Sequence, residues 1–519
     1  MSSTAHVQIA LDAPGAAVPA RLFGTFVEHM GRCVYEGIYE PGHPTADADG
    51  FRDDVRALVR ELGATVARYP GGNFVSGYAW EDGVGPQGDR PVRLDAAWHS
   101  TETNLVGLHE FARWAESVDL EIMEAVNLGT RGPAEAAQLL EYANHPGGTA
   151  LSDRRAANGR TEPFGIRLWC LGNEMDGPWQ IGHKTADEYG RVAAESARLM
   201  RFYDPTVELV AAGSSNREMP TFGAWERTVL AHTADLVDHI SIHAYYEEHD
   251  GDTASFLASG VHLDRYIADV AAIIDEVRAE RGIAREIGIS VDEWNVWNQT
   301  RWNTQDKDAV FAGDWPIAPR LIEDEYTVTD AVVVGSLLIS LIRNSARVSM
   351  ANLAQLVNVI APIRCEPNGP AWRQTTFFPF RDAARHARGR VLDVHVQAPA
   401  TETARFGAVS DLDAVATVAD DGAVTVLLAH RGLETALEVQ LPSAGFEVRE
   451  ATVLTAPADA DRHAVNTAGS ERVAPQTLEV RQAASDAVEI TLPPVSWAVL
   501  RLAPAASSSP TTTTTTTTD

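Results

Sequence analysis

Two short runs put a carboxylate where chemistry can be done. RLWCLGNE (167–174) ends in Asn173-Glu174, and IGISVDEWN (287–295) carries Asp292-Glu293-Trp294. A Glu that closes a mostly apolar strand is either half of an ion pair with a neighbouring Arg or a working acid. In the second case burial or a second carboxylate raises its affinity for a proton. Glu293 holds the equivalent position on its own run. The two-residue strand period turns Asp292 to the other side, as a structural residue. Two glutamates facing each other across a cleft can hold a glycosidic bond between them. Retention requires carboxyls about 5–5.5 Å apart, one acting as nucleophile and the other as acid and then base.

The remaining strand-like runs also end in polar and aromatic residues. These are Glu28-His29, Asn73 after Pro70-Gly71-Gly72, Asn127, Ser214-Ser215-Asn216, His243 with Tyr245-Tyr246, and Asn352 with Gln355. Carboxylates and amides match hydroxyl groups, and aromatic faces cover the apolar side of a ring, so the set reads as a sugar site. No phosphate-cradling loop and no His/Cys/Asp cluster at metal spacing competes, so neither metal nor cofactor is expected. Trp98 and Trp297 either wall the pocket or pack their own loops. His243 reads as a satisfied strand-end histidine rather than a catalyst.

These residues need a frame that brings many strand ends to one face. Runs at 22–30, 64–72, 121–129, 167–174, 208–215, 239–246, 287–295 and 348–356 have strand character, and longer amphipathic segments separate them. In one of these segments Tyr266, Val270, Ile273, Ile274 and Val277 form a helical stripe. Eight strand–helix units predict a (β/α)8 barrel, whose active face lies at the strand C-termini. A doubly wound sheet is less consistent, because no Gly-x-Gly-x-x-Gly follows the first strand. Beyond Arg388 the texture changes to short alternating strands with an Asp-Gly turn at 421–422, which predicts an all-β sandwich. The expected division is an N-terminal strand at 1–18 that joins the sandwich, the barrel at 19–385, the sandwich at 386–504, and a disordered Thr-rich tail at 505–519.

Composition narrows the partners. Of 519 residues, 72 are acidic and 42 basic, 40 of the latter being Arg and two Lys (Lys184 and Lys307), for a net charge of −30. Such a surface repels phosphate backbones and anionic lipids, so nucleic acid and membranes are not expected partners. Three cysteines without metal-type spacing fit a reducing compartment. The longest apolar run, 331–342, is too short to span a bilayer. The N-terminus lacks a basic segment followed by an apolar one, so no signal peptide is expected and the location is read as cytoplasmic.

The chain closely resembles the α-L-arabinofuranosidases of glycoside hydrolase family 51. FGTFVEHMGRCVYEGIYEP (23–41), ARYPGGNFVSGYAWEDGVGP (67–86) and LWCLGNEMDGPWQIGHK (168–184) carry the resemblance. HISIHAYYE (239–247), ISVDEWNVW (289–297) and AQLVNVIAPI (354–363) continue it in order. The resemblance implies a barrel with a C-terminal sandwich, retaining exo-acting hydrolysis of arabino-oligosaccharides, no cofactor, and a homo-oligomer, often a hexamer. By motif, Glu174 would be the acid/base and Glu293 the nucleophile. Glu28, Asn73, Asn173 and Gln355 would hold the sugar, and Tyr245 would orient the nucleophile. A related endo-glucanase or β-xylosidase activity is one alternative. A non-catalytic carbohydrate-binding or assembly protein is another, although both glutamates stand in intact motifs.

Overall fold

The eight strand-like runs close into one parallel barrel in a computed structural model that describes residues 3–484 and 486–505. The strands are β1 (Gly24–Phe26), β2 (Val66–Tyr69), β3 (Glu121–Val126), β4 (Leu168–Leu171), β5 (Glu208–Ala211), β6 (His239–Tyr246), β7 (Gly288–Val296) and β8 (Val348–Leu353). They neighbour one another in chain order, with β8 beside β1. Several are shorter than the runs that announced them, because those runs include the loops that leave the barrel mouth. Val66, Met123, Ala125, Leu168, Cys170, Val210 and Met350 fill the interior below the mouth. That apolar plug makes the barrel a packed core with a site only at its upper end.

Local signals fix the surrounding helices. Thr185 accepts a hydrogen bond from the Glu188 amide and starts helix Ala186–Tyr203; Gly63, at φ 77°, ends helix Asp53–Leu62. The stripe Tyr266, Val270, Ile273, Ile274 and Val277 is buried on helix Ser259–Arg281. The apolar run 331–342 lies in helix Val328–Arg343 and is buried throughout. It is apolar all round because barrel strands cover one side and the second domain covers the other.

That second domain is a ten-stranded antiparallel-rich sheet folded over its own core. Strand Ser3–Ala10 lies in its middle, antiparallel to Arg390–Gln397 and parallel to Leu437–Pro442. Leu412–Val418 and Val424–His430 form the hairpin that the Asp-Gly pair announced, with Gly422 at φ 80°. A separate hairpin, Ala400–Thr403 with Gly407–Ser410, leaves this domain and reaches the barrel. Of the tail expected at 505–519, residues 506–519 lie outside the described residues.

Two clusters of buried side chains are among the contacts that join the domains. Trp497 of the last strand lies over Gly335 so closely that a Cβ there would stand 2.4 Å from its ring. Its Nε1 donates to Asp382 Oδ2 at 3.3 Å. Asp413 accepts from Arg343, from Ser336 Oγ at 3.0 Å and from Arg431 Nη1 at 3.3 Å. Asp413 is buried, yet the two guanidiniums outweigh burial and hold its carboxyl below the usual range. Removing one partner of a buried ion pair leaves the others uncompensated, at a cost of about 3 kcal/mol. Asp413→Ala is therefore expected to lower the free energy of unfolding in urea by about 3 kcal/mol at pH 7, and with it the midpoint. The loss should shrink in acid, as wild-type Asp413 protonates. An unchanged midpoint at pH 7 would show that the pair does not hold the domains together.

Candidate active site

The polar strand ends converge on one cavity of about 650 Å³. Glu28, Asn73, Glu174, Tyr245, Glu293 and Gln355 all line it. Asn173 lies behind this wall, with Oδ1 accepting from Arg68 Nη2 at 2.7 Å and Nδ2 reaching Asn73 Oδ1 at 3.3 Å.

β7 supplies Glu293 through an irregularity. Its pairing with β6 shifts between Ser290 and Glu293, and its pairing with β8 shifts between Val291 and Trp294. Such a bulge puts an extra residue on one strand and re-aims its side chains. Asp292 therefore does not turn away from Glu293, as a regular strand would require. Both acids face Arg68 on β2, Glu293 at 2.7 Å from Nη1 and Asp292 at 3.8 Å from Nε. Asp292 lies deeper, taking hydrogen bonds from Ser290 Oγ and Cys170 Sγ. Burial raises its proton affinity.

Glu293 is fully buried, which alone would favour its acid form. The His243 and Arg68 charges and a 2.8 Å hydrogen bond from the Tyr245 hydroxyl reverse this and hold it below the ordinary carboxylate range. Gly72 is required beside it, because a Cβ there would stand 2.8 Å from Glu293 Oε1. Glu174 leaves β4 after Gly172 and takes φ 43° itself. Trp179 Nε1 donates to its Oε2 at 2.6 Å, and His243 Nδ1 lies 2.9 Å from its Oε1. His243 Nδ1 is also 3.6 Å from Glu293 Oε2. Burial disfavours the imidazolium, but the two carboxylates more than offset that and raise its proton affinity. Single ligand atoms of Glu174, His243 and Glu293 lie within 4.8 Å of one another. This is cation-binding spacing, but the Arg68 guanidinium already supplies the positive charge there.

Glu28 sits opposite on the β1 loop, with Oε1 accepting from the Phe74 amide and from Trp98 Nε1, both at 2.9 Å. Gln355 Nε2 donates to its Oε2 at 3.1 Å. Trp98 and Trp297 both line the cavity, and the Trp297 ring stands edge-on to Tyr245 at 5.0 Å. Other strand-end residues serve the frame. Asn127 ties its own loop to Tyr78 and Thr130, Asn352 points at Met123, and His29 bridges Glu102 and Tyr69. Cys33, Cys170 and Cys365 are free and buried, and burial pushes the Cys33 thiol up to about 12.

Sequence reasoning passed over Arg68 and Trp179 and set His243 aside. Arg68 had a signal: a lone charge inside a buried strand run must be paired. Trp179 lies in a loop and had none.

The geometry has known counterparts. Models of the α-L-arabinofuranosidase 1 domain and the α-L-arabinofuranosidase C-terminal domain match residues 58–262 and 292–496. The chain is 58% identical to an intracellular exo-α-(1→5)-L-arabinofuranosidase of Streptomyces lividans, over 94% of this chain and 74% of that protein. It is 54% identical to an exo-α-(1→6)-L-arabinofuranosidase of Bifidobacterium longum, over 94% and 95%. The solved structure of AbfB, a family 51 α-L-arabinofuranosidase from Bifidobacterium longum, superposes with a TM-score of 0.93 at 45% identity, covering 96% of this chain and all of that one.

Burial, followed by the Glu293 charge, pushes the Glu28 carboxyl up to about 8, against an unfolded value of about 4.3. Its bound proton therefore contributes stability that is complete below about pH 4.3 and lost as pH rises through 8. Glu28→Gln carries no such proton. Its stability relative to wild type, from urea unfolding, is expected to increase steadily from pH 5 to pH 8. A difference independent of pH would contradict the shift.

Proposed function

This chain belongs to the α-L-arabinofuranosidases of glycoside hydrolase family 51, and from that premise we propose that Glu293 is its nucleophile and Glu174 its acid/base. The enzyme is an exo-acting, retaining hydrolase of terminal α-L-arabinofuranosyl residues. One observation carries the assignment: oxygens of the two carboxylates lie within 4.8 Å of each other on one cavity. That closeness supports the retaining arrangement over the wider separation an inverting enzyme needs for its water.

Glu293, kept ionised by Arg68 and His243, attacks the anomeric carbon while Glu174 protonates the departing oxygen. Burial disfavours the His243 imidazolium, but the negative charge of Glu293 helps to raise its proton affinity and favours a proton 2.9 Å from Glu174 Oε1. The glycosyl ester removes that charge. Glu174 then accepts a proton from water, which releases arabinose with its configuration retained. Glu28, Asn73 and Gln355 bind the furanose hydroxyls. By family resemblance Asn173 is assigned the 2-hydroxyl, which its Nδ2 would reach from behind the wall beside Asn73, a contact that strengthens in the transition state. Tyr245 orients Glu293 through its hydroxyl.

Arabino-oligosaccharides are the proposed substrates, and the cytoplasm the proposed location, supported by relatives named intracellular. Among the described residues no helix is long and apolar enough to cross a membrane. A homo-oligomer, a hexamer by family resemblance, completes the reading and is checked by sedimentation.

Glu174→Ala is expected to lose on the order of 10²–10⁴-fold in kcat/KM on natural arabinosides and far less on 4-nitrophenyl α-L-arabinofuranoside. Azide should restore turnover as a glycosyl azide of retained configuration, read by NMR. Wild-type activity of Glu174→Ala on natural arabinosides, or an inverted first product from the native enzyme, would sink the assignment.

Arg68→Ala removes a charge that depresses the Glu293 carboxyl. The acid limb of kcat/KM should therefore move to higher pH, with a fall of about 10²-fold at the optimum. An unmoved limb would remove Arg68 from the nucleophile's electrostatics.

A further inference from the structure

The cavity wall is not built by the barrel alone. The hairpin Ala400–Thr403 with Gly407–Ser410 belongs to the β-sandwich, and its tip residues Arg405 and Phe406 line the cavity. The tip is held in place. Thr403 Oγ1 accepts from the Phe406 amide at 3.0 Å and donates to the Gly407 carbonyl at 2.8 Å. The Arg405 amide donates to Ser255 Oγ at 3.2 Å, in a short helix that follows β6. Phe406 lies with the Arg265 guanidinium 5.7 Å from its ring.

The position of the tip relative to Glu174 indicates its use. The acid protonates the departing oxygen, so the leaving sugar lies on the Glu174 side of the bond. β5 is the strand next to β4, which leads to Glu174, and residues at and beyond the ends of β5 and β6, including Glu218, Tyr246 and His262, line the cavity there. These three are linked: Tyr246 OH lies 3.2 Å from His262 Nδ1, and His262 Nε2 lies 2.9 Å from Glu218 Oε1. Arg405 stands next to Glu218 electrostatically but forms no ion pair with it or any other acid among the described residues. Arg405 is exposed, with its guanidinium 5.7 Å from the half-buried Phe406 ring and no side-chain hydrogen bond among the described residues. Free donors next to an aromatic face are what a sugar ring binds: hydroxyls on its edge, C–H groups on its face. Arg405 and Lys307 are the only Lys or Arg side chains among the described residues lining this cavity.

We propose that Arg405 and Phe406 of the sandwich hairpin form the outer wall of the leaving-group subsite and determine which arabino-oligosaccharide is accepted. The inference rests on the arabinofuranosidase reading. It gives the sandwich a part in specificity beyond buttressing the barrel. The two relatives named for 1→5 and 1→6 linkages are 58% and 54% identical to this chain, so overall similarity does not decide the linkage.

Neither residue reaches the reacting bond, so their contribution is to binding and falls on KM rather than kcat. Arg405→Ala and Phe406→Ala should each lower kcat/KM on α-1,5-linked arabinotriose about tenfold more than on 4-nitrophenyl α-L-arabinofuranoside, mostly through KM. Arg405→Lys keeps the charge without the planar fork and should fall in between. Arg449→Ala, on an exposed sandwich strand away from the cavity, should leave the ratio of the two substrates unchanged. Thermal unfolding of each variant separates misfolding from lost binding. Equal losses on both substrates, or none on arabinotriose, would overturn the proposal. A native enzyme inert on the aryl arabinofuranoside would instead overturn the functional reading, so the two failures are distinct.

Discussion

The Arg68 guanidinium is the interaction on which the rest of the site depends. It is fully buried on β2, with one nitrogen on Glu293, another on Asn173 and a third facing Asp292, and its plane lies 4.9 Å from the Phe26 ring. A single rigid fork therefore fixes two strand ends relative to each other and supplies the countercharge for two buried acids. Lysine has neither the fork nor the weak hydration that makes such burial tolerable. Without the fork, Glu293 would sit in an apolar mouth beside Glu174 and favour its neutral, non-nucleophilic form. Asn173 would lose the contact that turns its amide toward Asn73.

The bulge in β7 is the second constraint, and it explains the packing around Arg68. In a regular strand Asp292 and Glu293 would face opposite sides, leaving one guanidinium nitrogen with no nearby acid. The register shift turns both acids inward, one above the other. Asp292 then belongs to the base of the site, closed by Ser290 and Cys170, while Glu293 reaches the cavity.

What the sequence made legible follows from these causes. The barrel strands could be read because each is a short apolar run ending in polar residues. Glu174, Glu293, Glu28 and Gln355 could be located because a strand mouth is the one place in a barrel where such residues are useful. The structural place of Asp292 could be read, but its inward direction could not, because a bulge leaves no mark in a two-residue pattern. His243 was passed over because one histidine at a strand end has many uses. Only the approach of β4 and β7 puts it between two carboxylates. The hairpin tip was hidden for a different reason. Arg405 and Phe406 follow the last barrel motif (354–363) by 42 residues and belong to another domain, and no local pattern records that a sandwich turn meets a barrel mouth.

The placement of charge also fits the reaction better than the overall composition would indicate. Five glutamates line the cavity, and a neutral sugar is neither steered nor repelled by the acidic coat around it. The oxocarbenium-like transition state gains positive charge at the ring, so the carboxylates belong on its side. Arg68 neutralises the buried acids in the resting enzyme, yet it does not line the cavity. It stands behind Glu293 rather than facing the sugar. Its positive charge is therefore closest to Glu293, the proposed nucleophile, where ionisation must be maintained, and farther from the sugar, where a cation would oppose catalysis. A guanidinium in the cavity wall near Glu293 would reverse that balance. Arg405, on the proposed outer wall, is not among the charges that act on Glu293, so it can bind hydroxyls there without taking over the part of Arg68.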